Sequence, residues 1–126
     1  MLAVLAASIS TPGLATQGLS CASAEGTARI GMTIGTAGGL AIVGATLRAG
    51  ENAWVTDPAY GEGAIFTIGQ HYADETELKA DFFDEDINEK LAELRLVRAQ
   101  EGDDVAQAGT LRVIGVGAWT VSCEEQ

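Results

Sequence analysis

Positive charge is what this sequence has least of: seven lysines and arginines and one histidine stand against 18 aspartates and glutamates, for a net charge of −11. Phosphate recognition needs clustered Lys and Arg, and no cluster exists, so nucleic acid is excluded as a partner class. Adsorption to an anionic membrane surface is disfavoured for the same reason. What the charge leaves open is solubility, a cationic partner or a hard metal ion. The sole histidine, His71, cannot build a multi-histidine zinc site. No G-x-S-x-G elbow, P-loop or dinucleotide fingerprint is present, because Gly61-Glu62-Gly63 and Gly115-Val116-Gly117 lack the third glycine and the strand-to-helix setting. No cofactor is expected. Also missing are internal repeats, linkers, low-complexity blocks and any apolar run near the roughly 18–20 residues that span a bilayer as a helix.

Cysteine is scarce too. Cys21 and Cys123 are the only two, and they stand near opposite ends of the 126 residues. They form no CxxC pair, which removes zinc ribbons and thioredoxin-type motifs. Two buried thiols in a reducing compartment are one reading. The other is a disulfide closing a loop of about 100 residues, which chain-entropy models value at about 4–5 kcal/mol and which implies an oxidising compartment.

The N-terminus favours the second reading. Residues 1–9 (MLAVLAASI) are almost wholly apolar and lead through Ser10, Thr11, Pro12 and Gly13 to Leu14-Ala15. An apolar run, a helix-breaking Pro-Gly and small residues at a cut site are parts of a secretory leader. Cleavage after Ala15 keeps Cys21; cleavage after Ala24 also meets the small-residue rule but discards it. The cationic front of such a leader is absent, which predicts a start upstream of Met1 or a trimmed front. Lipid attachment at Cys21 fits less well, because Leu19 stands two rather than three places before it. The alternative is that residues 1–9 form the first element of the fold. The expected organisation is a leader-like segment, 1–15, and one β-rich domain, 16–126.

From residue 27 onward, short alternating apolar runs are separated by Gly, Asn and Asp, as half-buried strands require. The runs cover 28–34, 40–48, 53–56, 64–69, 77–82, 94–99, 110–114 and 118–123, with a turn over Gly35–Gly39 and a polar turn over His71–Asp74. Phe83, Ile87, Leu91 and Leu94 are spaced like a helical stripe, and Asp84 suits its N-cap, so the pattern predicts a short helix over 84–93. The fold class expected is mainly β: an antiparallel sandwich or small barrel of seven to eight short strands, with that one helix.

Chemistry is sparsely signalled. Asp84, Asp86 and Asn88 match the first ligand positions of a calcium loop, but Glu89 stands where the loop needs Gly and Arg95 where it needs the bidentate Glu. A solvated turn explains the same residues. Trp54, Tyr60 and Tyr72 are candidates for an aromatic surface, against the alternative that Trp54 and Trp119 anchor the core. The sequence therefore leads to an exported domain, periplasmic or extracellular, that works as a binding or structural module. Its alternatives are a self-associating subunit of a surface layer, filament or coat, and a hydrolase built on paired carboxylates.

Overall fold

The computed structural model describes residues 16–35 and 41–126. Among these, nine strands follow one another: β1 (Thr16–Ala22), β2 (Ala28–Gly35), β3 (Ala41–Ala49), β4 (Asn52–Val55), β5 (Ala64–Ala73), β6 (Glu77–Asp84), β7 (Lys90–Glu101), β8 (Asp104–Val113) and β9 (Gly117–Glu125). They form a closed barrel in sequence order, with β9 returning to β1. The expectation of a small barrel holds, with one strand more than the sequence suggested.

Parity explains one feature of the topology. Nine strands that alternated strictly would bring β9 to β1 in parallel. Instead β4 and β5 run parallel, through Trp54↔Ala64 and Val55↔Ile65, and every other pair, β1–β9 included, is antiparallel. The connection that allows this is short. Asp57 caps a 3-10 turn, Pro58–Tyr60, by accepting from the Ala59 N–H at 2.8 Å, and Pro58 supplies the preset φ at the first position. Tyr60 then lies against Gly44 on the outer wall of β3, in space that any side chain at residue 44 would fill.

The interior follows from period-two alternation. Ala45, Leu47 and Ala49 on β3, Leu78, Ala80 and Phe82 on β6, and Ala92, Leu94 and Leu96 on β7 are all buried. Small and large residues alternate within the wall so that neighbouring layers interlock. Phe66 and Phe82 stack with ring centres 5.3 Å apart. Trp54 and Trp119 pack against this cluster, which is the core-anchor reading of the tryptophans. Each fully buried Leu or Phe contributes about 1.5–3 kcal/mol.

The disulfide closes the wall. Cys21 and Cys123 are joined across the β1–β9 seam, with Cα atoms 4.0 Å apart. Gly18 and Gln126 exchange two backbone hydrogen bonds, at 3.3 and 2.8 Å. Three residues further on, the cysteines therefore fall at a non-hydrogen-bonded position, where facing strands bring side chains closest.

Two expectations need correction, and one strand is an addition. Residues 84–93 are not a helix: β6 runs to Asp84, a turn covers 85–89 and β7 starts at Lys90. The reason is a bulge. Phe82 pairs with Ala92 and Phe83 with Lys90, so Leu91 is an extra residue that breaks the alternation and imitates helical spacing. His71–Asp74 is not wholly a turn, since β5 continues through Ala73 and the reversal lies at 74–76. The addition is β1, which was not foreseen as a strand. The leader-like residues 1–15, residues 36–39 of the turn expected over 35–39, and Leu40 at the start of the next run lie outside the described residues.

Candidate functional site

The barrel has two ends. At the base lie the turns at 23–27, 50–51, 85–89 and 114–116; at the mouth lie the start of β1, the reversals at 74–76 and 102–103, and the end of β9. Register shows what the mouth presents inward. Ile30, Cys21, Cys123, Gln107 and Arg98 are successive partners across β2, β1, β9, β8 and β7. The next inward row brings Met32, Leu19 and Glu125 together. Directly opposed residues share one face of a sheet, so Arg98, Gln107 and Glu125 share the inner face with the disulfide and Leu19.

Gln107 is the one buried polar side chain among the described residues, 8% exposed. Its Nε2 donates to Glu125 Oε2 at 3.5 Å. A carboxylate only accepts, so the amide nitrogen must face Glu125 and the carbonyl oxygen is left over. That oxygen accepts no hydrogen bond from a described residue. Arg98 Nη2 stands 4.0 Å from Glu125 Oε2, outside hydrogen-bond reach. These polar groups border a cavity of about 190 Å³ whose apolar walls include Leu19, Ile34 and Leu78. A buried polar group normally has its bonding capacity met. Accordingly, among the described residues no fully buried side-chain nitrogen or oxygen lacks a partner.

The rim turn at 74–76 is held by one carboxylate. Asp74 Oδ1 accepts from the N–H groups of Thr76 (2.8 Å) and Glu77 (2.9 Å) and from the Thr76 hydroxyl, while Oδ2 accepts from Tyr72 at 2.8 Å. The Thr76 N–H, then the Tyr72 hydroxyl and the Glu77 N–H, hold the Asp74 carboxyl down to about 2. The same bond to Asp74 raises the Tyr72 phenol above its ordinary value. Asp74 is therefore saturated. Glu77 faces outward, opposite Val97 and 3.6 Å from Lys79.

A second group of charges is paired. On the outer wall Asp81 meets Arg95 at 2.9 Å and Lys90 at 3.4 Å, and Glu93 meets Lys90 at 2.9 Å and Arg112 at 3.3 Å. The Lys90 hydrogen bond, with help from Arg112, lowers the Glu93 carboxyl below its usual range. A larger cleft of about 560 Å³ lies where β5 bulges at Gly69–Gln70 and includes His71, Lys79 and Arg95. It is an open furrow. Its Arg95 already donates to Ala80 O, Leu94 O and Asp81, and His71 Nδ1 lies 2.9 Å from Gly69 O with no carboxylate among the hydrogen-bond partners given by the described residues.

The residues singled out from sequence do not form one site. Asp84 Oδ1 accepts from the Asn88 N–H at 2.7 Å, so it builds the 85–89 turn. No group of three His, Cys, Asp or Glu among the described residues, Asp84 and Asp86 included, is placed to hold a metal ion. Trp54 and Tyr60 share a cleft of about 260 Å³ with Arg29 and Arg48, whereas Tyr72 stands at the far end of β5 beside the mouth turn. Only the cysteines meet as foreseen. Arg98, Gln107 and Glu125 carried no local motif; the one available signal was a glutamine in inward phase with Leu111 and Val113 on β8. No protein-family model, curated protein or solved structure matches this chain, so its function has to be read from the barrel itself.

Proposed function

We propose that this protein is an exported, non-enzymatic binding module that takes a small ligand at the barrel mouth. The observation that carries the reading is the cavity of about 190 Å³ that the nine-tenths buried Gln107 borders together with Arg98 and Glu125. Apolar walls with a few convergent polar groups are the usual make-up of a small-molecule site. Export is supported by the Cys21–Cys123 bond, which needs an oxidising compartment to form and persist. No helix among the described residues is long and apolar enough to cross a membrane. Cleavage after Ala15 would leave the whole barrel intact, whereas cleavage after Ala24 would remove β1 and the disulfide with it. Methyl NMR against a fragment mixture tests the site. Shifts confined to Leu19, Ile34 and Leu78 are expected, and their absence for every fragment sinks the reading. Intact mass of the natively secreted protein tests export: both thiols oxidised and a mature start at Thr16 are expected.

A second reading, self-association, has its own observation. The β7–β8 ladder continues to Glu101↔Asp104 after β6 has ended at Glu77↔Val97, so a hairpin arm projects beyond the mouth. Val97 and Ala108 pair on one face of it, Ala99 and Ala106 beside them, and all four are exposed. Light scattering on a size-exclusion column separates the readings, because a monomer at high concentration removes this one.

A further inference from the structure

We infer that the mouth is built for a small zwitterion with an apolar substituent, the chemical class of a free aliphatic α-amino acid. Its carboxylate would lie on Arg98, its ammonium on Glu125 and the Gln107 carbonyl, and its hydrocarbon between Leu19, Ile34 and Leu78. This rests on the mouth being a binding site and goes on to name what it binds.

The charge inventory carries the argument. Among the described residues, register puts one charge of each sign on the inner face at the mouth, Arg98 and Glu125. The other two carboxylates bordering the cavity are committed elsewhere: Asp74 accepts four internal hydrogen bonds, and Glu77 faces Lys79 on the outer wall. Arg98 and Glu125 approach only to 4.0 Å, too far to satisfy each other. A guanidinium fork is thus left for a carboxylate, the partner whose planar pair of oxygens it matches. A carboxylate is left for an N–H donor, with the Gln107 amide beside it. One ligand group of each sign completes both halves, whereas a simple cation or anion would leave the other half to water. Long-range charge agrees. A net charge of −11 repels an anion and draws a cation to the whole surface, but leaves a neutral zwitterion to be selected by the site alone. Size agrees as well. A cavity of about 190 Å³ exceeds the roughly 150 Å³ that holds a benzene-sized ligand, which suits a branched four-carbon side chain with the charged head at the opening.

The experiment is calorimetric titration of the full, disulfide-bonded protein with three probes: L-leucine, isoamylamine (leucine without its carboxylate) and 4-methylpentanoate (leucine without its ammonium). Leucine is expected to bind at least tenfold more tightly than either. Arg98→Gln should cost leucine at least tenfold in affinity while isoamylamine binds no more weakly than before, because a positive charge beside its ammonium has been removed. Glu125→Gln should cost leucine at least tenfold while 4-methylpentanoate binds no more weakly than before, for the converse reason. Retained binding of that second probe in each case shows that the variant is folded with its cavity intact. Should isoamylamine or 4-methylpentanoate match leucine, the zwitterion inference is overturned while binding at the mouth stands. Should none of the three bind while neutral fragments still shift the Leu19, Ile34 and Leu78 methyls, the inference falls alone; if those fragments are silent too, the wider reading falls with it.

Discussion

The base and the mouth of this barrel solve the same packing problem in opposite ways. At the base, Phe66, Phe82, Trp54, Trp119 and Val113 fill the space with apolar volume. At the mouth, two rows of the same strands end in Gln107, Arg98 and Glu125 around a cavity. The disulfide sits between, in the row shared with Gln107. The contrast teaches that stability and recognition are placed at different heights of one wall. Substitutions should therefore sort by height rather than by strand.

The largest effect should come from the boundary. Replacing both cysteines by serine releases a loop of sequence separation 102 and should cost about 4–5 kcal/mol in denaturant unfolding. Phe82→Ala, at the base, should cost about 3–5 kcal/mol by the same assay. Gln107→Leu, at the mouth, should change stability by less than about 1.5 kcal/mol, because the amide it removes is only weakly bonded. A loss from Gln107→Leu as large as that from Phe82→Ala would erase the contrast.

A smaller effect lies at the base turn. Ile87 is 61% exposed with φ 59°, a left-handed backbone that costs a β-branched residue about 1–2 kcal/mol. Ile87→Gly should raise the melting temperature, since it relieves strain without removing a core contact. The smallest test is by pH at the mouth turn. The folded carboxyl of Asp74 lies at about 2, below its ordinary unfolded value, so its stabilisation is present above about pH 4 and is lost as pH falls toward 2. The melting temperatures of wild type and Asp74→Asn should differ above that window and converge below it.

Much of the wall was legible in the sequence because alternation is a local signal. Eight runs from residue 28 onward coincide with strands, and the closing hairpin around Gly115 lies where turn chemistry put it. β1 was hidden because Thr16–Ala22 offers only Leu19 and Cys21 to the core, with small residues between. The false helix arose where the Leu91 bulge and the Ile87 turn put residues from different faces into one stripe. Closure of the barrel, rather than two packed sheets, depends on β9 finding β1 across about a hundred residues, and no local pattern encodes that. The mouth was invisible for a related reason. Arg98, Gln107 and Glu125 come from three strands, and only register brings them together.

The half-length β4 shapes the whole container. Where it pairs, between Ala49 and Val55, nine strands share the circumference; above Val55 it has ended, and eight remain. Because a barrel's girth grows with strand number, the half-length β4 adds circumference at the base, where Phe66, Phe82 and the tryptophans pack. Without it the remaining eight would alternate evenly up and down and still meet antiparallel at the disulfide seam, so β4 adds width to the fold without altering how it shuts.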